Sequence, residues 1–313
     1  SWFYVMVIVT VLLLTELKHT FTEFAQRMKN DEMITLAKFL AISGIILPML
    51  PHKNLIPDIN LTPYSIWLAT VVVSGISYLS YLLKRYVFHE SGVLVSGIIG
   101  GLYSSTATIS VLARKSRKAS EQEANEYVAA MLLAVSMMFL RFMILILIFS
   151  REIFTSIYPY LLIMSVVAAV VAWFIHSRHR RSKDMADESE DEDSSNPLEF
   201  KVALIFATLF VVFTVLTHYT LVYAGTGGLN LLSFVSGLSD ITPFILNLLQ
   251  NTGSVAVLVV VSCSMQAIIS NILVNMFYAL FFAGKGSKLR PWILGGFGTV
   301  IGVNLVLLLF FYL

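Results

Sequence analysis

The sequence predicts an all-α integral membrane protein, a polytopic bundle of transmembrane helices, on three observations. Of the 313 residues, 57% are hydrophobic and only 13% are charged, whereas about a quarter of the residues in a soluble globular domain are charged. The apolar residues occur in blocks long enough to cross the hydrocarbon core of a bilayer, which takes about 20 helical residues. Alternating ten-residue strand patterns, typical of outer-membrane barrels, are absent from the sequence. Because lipid offers the backbone no hydrogen bonds, the apolar blocks are expected to be helices.

Ten apolar segments can be marked along the chain. They run over residues 2–17, 33–50, 63–83, 92–112, 125–150, 153–175, 200–222, 229–249, 255–282 and 291–313. The chain begins with Ser1 and an apolar run, without an initiator methionine. We therefore expect a fragment or a processed form, with further helices upstream.

A charged stretch separates the sixth segment from the seventh. A basic cluster that includes Arg178 and Lys183 is followed by an acidic run from Asp184 to Asp193. The acidic run has no apolar periodicity, so we predict a disordered linker over residues 182–198. A cation-binding role for this run is the alternative.

Segments four and eight differ from the others because they carry small polar residues at their centres. Segment four contains Gly97, Gly100, Gly101, Ser104, Ser105, Thr106 and Thr108, and segment eight contains Ser236, Gly237, Ser239, Asp240, Thr242 and Pro243. A helix that only faces lipid needs none of these residues. Helices interrupted within the membrane are typical of the binding sites of secondary transporters.

The distribution of basic residues indicates whether these two segments cross the membrane, since Lys and Arg are enriched in cytoplasmic loops. Twenty of the 21 Lys and Arg residues lie outside the segment cores or close to segment ends, and Arg141 alone lies deep. If all ten segments cross, the twenty divide equally between the two faces. If segments four and eight each enter and leave on one face, eighteen lie on the cytoplasmic face and only Lys53 and Arg151 lie outside. We therefore expect two re-entrant broken helices and about eight full spans.

The re-entrant arrangement implies an inverted repeat, in which segments three to six recur upside down in segments seven to ten. A weak internal similarity agrees with this, because Gly101-Leu102 and Gly237-Leu238 both precede hydroxyl residues. The pair Ser136 and Arg141 also has the spacing of Ser270 and Asn275. The predicted organisation is N-terminal helices over 1–62, a first membrane repeat over 63–181, the linker over 182–198 and a second, inverted repeat over 199–313.

The run from Gly101 to Thr108 is a candidate binding site. If the helix breaks here, Ser104, Ser105 and Thr106 cap the half-helix that follows, and free backbone amides face the cavity. The N-terminus of a helix favours anions or substrate oxygens, and the hydroxyl groups add ligands. The alternative is close helix packing through small residues, which is common in membranes.

Asp240, with Ser239 before it and Thr242 two residues after it, is the only acidic residue deep within a predicted membrane segment. A carboxylate there is costly and indicates function, here uptake of a proton or coordination of a coupling cation. The alternative is a helix N-cap, since Asp240 precedes a short helix with Pro243 in its first turn. The two roles are compatible.

Arg141 lies too deep in segment five to reach the membrane surface, so it is expected to face the bundle interior. Its partner is Asp240, an anionic substrate or the exposed carbonyls of a broken helix; the alternative is a structural ion pair between the two halves. Gln266, Asn271 and Asn275 of segment nine are expected to line the same cavity, and Asn271 and Asn275 share one helical face. The alternative for these three is hydrogen bonding between helices.

The sequence shows no enzyme signature. The six histidines lie in loops or near segment ends without metalloprotease spacing, and neither a P-loop nor a dinucleotide fingerprint is present. A dedicated Mg²⁺ site normally offers more than one carboxylate, and Asp240 is the one available. We therefore predict a protein that is not an enzyme, without a cofactor and without a nucleic-acid partner; a metal ligand set is not identified.

Three stretches of the chain resemble a known family: Gly101–Thr108 with its continuation Leu112–Ser116, Met138–Arg141, and Ser236–Asp240. They are similar to the membrane domain of unknown function that follows an MgtC/SapB-like domain in bacterial and archaeal membrane proteins. The resemblance runs from about Glu16 to the end of the chain. It implies that residues 1–62 are a remnant of the MgtC-like part followed by a linker helix.

The same resemblance implies that a basic residue often stands where this chain has Asn275, so one intramembrane charge has been lost here. MgtC-like proteins are linked to magnesium homeostasis and membrane regulation. The resemblance therefore implies a membrane or transport role without naming a substrate.

These observations predict an ion-coupled secondary transporter of a small solute or inorganic ion, coupled to H⁺ or Na⁺, in the cytoplasmic membrane of a bacterium or archaeon. Its site is expected near the bilayer midplane, between the two broken helices and beside Arg141. The alternative is a regulatory membrane protein of MgtC type, without transport, that takes part in magnesium or ion homeostasis. The bilayer is the expected environment, and formation of a homodimer is left open.

Overall fold

A computed structural model describes residues 30–57, 59–88, 92–117, 121–177, 200–250, 255–284, 287 and 289–312, with isolated positions before residue 30. The described residues form helices joined by short connections and include no β-strand, which confirms the predicted all-α class. The chain divides into two compact units, Ser1–Met49 and Leu50–Leu313.

The smaller unit contains one described helix. Helix α1, Asn30–Ala41, continues through a π-helical turn, Ile42–Ile46, into a last helical turn, Leu47–Met49. This stretch corresponds to the predicted segment 33–50. The predicted segment 2–17 lies outside the described residues apart from isolated positions, and so does the predicted linker 182–198.

The larger unit is a bundle of eight described helices. They are α2 Pro63–Leu82 (extended by a π-helical turn, Leu83–Val87), α3 Val93–Lys115, α4 Glu121–Phe149, α5 Arg151–Ser177, α6 Phe200–Ser236, α7 Thr242–Gln250, α8 Val257–Ala283 and α9 Arg290–Tyr312. Among the described helices, all of these except α7 are long and apolar enough to cross a membrane. The protein is therefore a multi-pass membrane protein, as the hydropathy of the sequence predicts.

The start of α2 shows how a polar signal fixes a helix end in an apolar sequence. Thr62 Oγ1 accepts a hydrogen bond from Ser65 N (3.0 Å), and Ser65 Oγ accepts one from Thr62 N (3.1 Å). This reciprocal pair satisfies two amides that have no partner within the helix. Pro63 occupies the first helical position, where its missing N–H costs nothing.

Helix α8 lies at the centre of the larger unit. Its most apolar window is 67% buried by protein, against 28–50% for the other candidate spans. It packs against α3, α6 and α9, while α4 packs chiefly between α3 and α5. The outer faces of α5, α6 and α9 expose large apolar side chains such as Trp173, Tyr223 and Phe310, as expected for surfaces in lipid.

Helix α6 differs from the predicted segments because it joins segment seven to the first half of segment eight. The two parts meet at Gly225, whose φ of 61° and ψ of −154° interrupt the helix. A Cβ placed at Gly228 would lie 2.8 Å from Thr220 Cγ2, although residues eight apart in an unbroken helix are about 12 Å apart. The chain therefore folds back at Gly225, and residues 226–236 form a separate arm.

Candidate functional site

The first interrupted helix is α3, which breaks at its centre. Ser104 has extended backbone angles (φ −158°, ψ 107°) between helical arms over 93–103 and 105–115. Ser104 Oγ accepts a hydrogen bond from Ala107 N (3.3 Å), so the side chain caps the second arm, as the sequence predicts. The break thus exposes the carbonyl end of one arm and the amide end of the other at the same place.

The two arms of α3 are bent back on each other. A Cβ placed at Gly100 would lie 2.5 Å from Thr108 Oγ1, whereas residues eight apart in a straight helix are separated by about 12 Å. Gly100 leaves room for the Thr108 side chain on the opposing arm. The break at Ser104 is therefore a reversal of the chain and not a mild kink.

The second interruption lies between α6 and α7. After Ser236 the chain makes turns in which Leu238 N donates to Val235 O and Ser239 N donates to Ser236 O, both at 3.1 Å. Asp240 Oδ1 then accepts a hydrogen bond from Thr242 N (3.0 Å), the first residue of α7. Asp240 thus caps α7, with Pro243 in the first turn as the sequence predicts.

Each interruption packs on a neighbouring long helix through a glycine. A Cβ at Gly101 would lie 2.5 Å from Ala134 Cα of α4, and a Cβ at Gly237 would meet the side chain of Ser270 on α8. Small residues allow such close helix contacts in membrane proteins. The packing alternative considered for the run from Gly101 to Thr108 is therefore supported for Gly101, alongside any role in a site, and Gly237 packs in the same way.

The two interruptions meet at one cavity of about 470 Å³. The predicted site residues that line it are Gly101, Ser104, Ser105, Thr106, Arg141, Ser239, Asp240, Thr242 and Asn271. Helices α2, α4, α6 and α8 complete the wall. A volume of this size is in the range that holds small molecules.

Arg141 connects α4 to the break of α3. Its Nη1 donates a hydrogen bond to Tyr103 O (2.9 Å), a carbonyl at the end of the first arm. Of the partners considered from the sequence, the structure thus provides the exposed carbonyl of a broken helix. Arg141 also interacts electrostatically with Asp240, and the Arg141 Nε is buried without a hydrogen-bond partner among the described residues.

Asn271 has the corresponding place at the second interruption. Its Nδ2 donates to Gly237 O (3.3 Å) and Ser239 O (3.4 Å), and its Oδ1 accepts from Asn275 Nδ2 (3.2 Å). Asn275 therefore orients the Asn271 amide so that its N–H groups face the exposed carbonyls. One amide thus holds the turn that carries Asp240.

Three predicted residues lie away from the cavity wall. Thr108 faces Gly100 across the arms of α3. Asn275 is fully buried behind Asn271. Gln266 donates from Nε2 to Asn230 Oδ1 (3.3 Å) and contacts Ser233 Oγ (3.0 Å), so it belongs to a separate polar cluster between residues 226–236 and α8. The structure supports hydrogen bonding between helices for Gln266, whereas the described bond of Asn275 is to Asn271 of the same helix.

The sequence analysis named no role for four polar residues of the cavity wall: Ser74 and Ser77 of α2, Tyr103 of α3, which lies inside the candidate run Gly101–Thr108, and Tyr278 of α8. Ser74 and Ser77 are three residues apart in an apolar helix, a spacing that places both on one face and would have marked them. Tyr103 and Tyr278 carry no such signal, because tyrosine is common in membrane helices near the interface.

Oxygen atoms are the ligands the cavity offers to a cation. Asp240 supplies a carboxylate, and Ser239 and Thr242 supply hydroxyl groups beside it. Within the described residues, no group of three His, Cys, Asp or Glu side chains lies close enough to hold a metal ion. The cavity thus offers one carboxylate with hydroxyl neighbours, a set suited to a proton or a monovalent cation.

Comparison with known proteins gives a family and one relative. Residues 71–283, more than half of the chain, match a family described as a domain of unknown function (DUF4010). A protein of Aquifex aeolicus (strain VF5) with the name "Uncharacterized protein" is 27% identical over 221 residues, which cover 70% of this chain and 94% of that protein. No solved structure matches the chain.

Proposed function

Because the chain belongs to the DUF4010 family, which is described only as a domain of unknown function, we propose its function from the cavity: ion-coupled secondary transport of a small solute or inorganic ion. The observation that carries this proposal is that two interrupted helices contribute polar residues to one cavity that also holds Arg141 and Asp240. Discontinuous helices typically form the substrate and ion sites of secondary transporters. The proposed location is the cytoplasmic membrane.

The two interrupted stretches are proposed to be re-entrant. Each arm of α3 has about eleven residues and rises about 16 Å, which is half of a hydrocarbon core of about 30 Å. The reversal at Ser104, with Gly100 beside Thr108, supports a turn within the membrane. Residues 226–236 and α7 are the counterpart of these arms in the second half.

An inverted repeat is proposed on the same grounds. Both interruptions rest through a glycine on a neighbouring long helix, Gly101 on α4 and Gly237 on α8. From each of these long helices one polar side chain, Arg141 or Asn271, donates to carbonyls at the break. This likeness of packing and hydrogen bonding supports two related halves, and it pairs Arg141 with Asn271, where the sequence similarity pairs Arg141 with Asn275.

The position of the cavity supports access from the cytoplasm. Its wall includes Val202, near the start of α6, and Tyr278, near the end of α8, and the charge distribution assigns these helix ends to the cytoplasmic face. Toward the opposite face, Asn60 Nδ2 donates to Gln250 O (3.2 Å) and Gln250 Nε2 donates to Ser65 O (3.4 Å). These bonds join the end of α7 to the start of α2 on that side.

Asp240 is proposed as the coupling group. It lines the cavity, sits at the N-terminus of α7 and interacts with Arg141. Protonation, or binding of Na⁺ with the hydroxyls of Ser239 and Thr242, removes its negative charge and with it the attraction to Arg141. A bound cation thus changes the interaction between the two halves, which is what coupling requires.

The test uses purified protein in liposomes that contain a pH-sensitive dye, with inward gradients of single solutes from a chemically broad panel. We expect at least one solute either to change the internal pH as it enters or to enter only when Na⁺ is present. Asp240→Asn is expected to reduce this coupled flux to the level of protein-free liposomes. Glu152→Gln, which removes an exposed carboxylate at the start of α5, is the matched control and is expected to leave the flux unchanged.

Two outcomes contradict the proposal. Coupled flux through Asp240→Asn at the wild-type rate and with the same pH dependence removes the role of Asp240. Liposomes that show no flux above the protein-free level with any solute favour the other prediction, a regulatory protein of MgtC type. For such a protein, we expect capture of a partner that depends on the hydroxyl groups of Ser104–Thr106.

A further inference from the structure

The cavity wall carries two charges of opposite sign. Of its described lining residues, Arg141 and Asp240 are the charged ones. A charge in a membrane interior is costly unless it is matched. The chemistry of the two charges therefore restricts what the cavity binds.

The guanidinium of Arg141 presents one unused edge. Nη1 donates to Tyr103 O, and Nε is buried without a partner among the described residues. Nε and Nη2 lie along a different edge of the planar guanidinium from the bond of Nη1 to Tyr103 O. Two parallel N–H groups of this kind match the two oxygens of a carboxylate.

The two half-helices add positive potential at the same place. The second arm of α3 begins after Ser104, and α7 begins at Thr242; both residues line the cavity. The N-terminus of a helix carries a partial positive charge that attracts anions. Part of the negative charge of Asp240 is already engaged by Thr242 N, so the balance of the cavity favours an anion beside Arg141.

Another part of the wall is apolar. Its side chains include Val73, Met138, Phe142, Ile205, Phe206, Leu209 and Val274, and the wall also holds the hydroxyl groups of Ser74, Ser77 and Tyr278. A bare inorganic ion leaves this surface without a partner, whereas a short hydrocarbon chain covers it.

We propose that the solute is a small monocarboxylate with a short hydrocarbon chain, bound through its carboxylate to Arg141 while Asp240 takes up the coupling cation. This inference rests on the proposed transport function. With a carboxylate at Arg141 and a proton or Na⁺ at Asp240, both charges are matched, and the loaded cavity is neutral. Carboxylate and cation are therefore expected to move together in a ratio of one to one.

The binding test compares two isosteric probes, butyrate and butyramide, by thermal unfolding of the purified protein at a concentration near 100 times Kd. Butyrate is expected to raise the Tm by about 5 °C, and butyramide, which lacks the charge, is expected to leave it unchanged. Arg141→Gln is expected to abolish the shift. Arg151→Gln, at an exposed arginine that starts α5, is the control and keeps it.

The comparison of the two probes on the wild-type protein needs no variant, so it decides the inference even if Arg141→Gln does not fold. Equal stabilisation by butyramide, stronger stabilisation by the zwitterion 4-aminobutyrate or by nitrate, or no stabilisation by butyrate each overturns it. Butyrate binding without flux in liposomes removes the transport proposal and leaves the carboxylate site. Asp240-dependent flux of an uncharged solute removes the carboxylate site and leaves the transport proposal.

Discussion

Arg141 and Asn271 perform the same task on different helices. Each is a side-chain donor in the membrane interior, and each bonds to carbonyls that lose their helical partner where the chain breaks, Tyr103 for Arg141 and Gly237 with Ser239 for Asn271. Backbone groups in a membrane interior must be satisfied by the protein itself. These donors therefore make the two interruptions stable, and they also bring polar groups to the cavity.

Asn271→Ala is expected to reduce the free energy of unfolding by about 1–3 kcal/mol, because it leaves the buried carbonyl of Gly237, the carbonyl of Ser239 and the Asn275 amide without these partners. Thermal unfolding in detergent measures this loss. Thr299→Ala removes an exposed hydroxyl that bonds only to Gly295 O within its own helix, and it is expected to change stability by less than about 0.5 kcal/mol. Equal Tm values for the two variants contradict this role of Asn271.

The sequence identified most of the polar residues of the cavity wall, because a polar residue deep in an apolar segment has few explanations. Arg141, Asp240 and Asn271 were found in this way and do line the cavity. The sequence also predicts Thr108 and Asn275 on the cavity wall. Helical periodicity predicts which residues share a face of a helix, but it does not predict which neighbour covers that face. Thr108 is covered by the opposing arm and Asn275 by Asn271.

At the scale of helices, Gly225 decides the path of the second half. Its φ of 61° and ψ of −154° lie in a region that is essentially restricted to glycine, and another residue there costs about 1–3 kcal/mol. The sequence gives no clear sign of this turn, because glycines also serve close packing in membrane helices. The predicted segments seven and eight were consequently separated by a loop, where the structure has a sharp reversal within α6.

Gly225→Ala is expected to lower the stability by about 1–3 kcal/mol, and thermal unfolding measures the change. Gly227→Ala is the matched control two residues away, since a Cβ at Gly227 meets nothing within 4 Å and the backbone there is helical. The control is expected to be neutral or to stabilise by about 0.4–1 kcal/mol. A Gly225→Ala variant as stable as Gly227→Ala shows that the reversal at Gly225 is absent.

Gly101→Ala tests the packing of the first interruption on α4. The added Cβ would lie 2.5 Å from Ala134 Cα, and backbone atoms do not move aside easily, so a loss of about 1–3 kcal/mol is expected. The control is Gly295→Ala on α9, where the Cβ meets nothing. A Tm for Gly101→Ala at or above that of Gly295→Ala is inconsistent with this contact.

At the scale of the whole molecule, composition sufficed for the fold class because the bilayer permits few solutions. Long apolar blocks must form helices in lipid, and seven of the described helices have the required length and apolarity. The topology is less constrained than the fold class. With 23 residues, α3 is long enough to cross the membrane as a single span. Its central break, which is visible in the Gly, Ser and Thr content, is what favours a return to the same face.

The measurement that tests this topology most directly is the accessibility of introduced cysteines to a membrane-impermeant thiol reagent in intact cells. The single native cysteine, Cys263, is buried and is first replaced by alanine. One cysteine is then introduced at either end of each interrupted stretch: Gly92→Cys and Lys115→Cys for α3, Gly227→Cys and Ala256→Cys for residues 226–250. Glu152→Cys and Arg290→Cys mark the outer and the cytoplasmic face.

We expect the Gly92→Cys and Lys115→Cys proteins to react only after the cells are opened, like Arg290→Cys. The Gly227→Cys and Ala256→Cys proteins are expected to react in intact cells, like Glu152→Cys. If the two ends of either stretch react from opposite faces, that stretch crosses the membrane, and two re-entrant helices entering from opposite sides are ruled out.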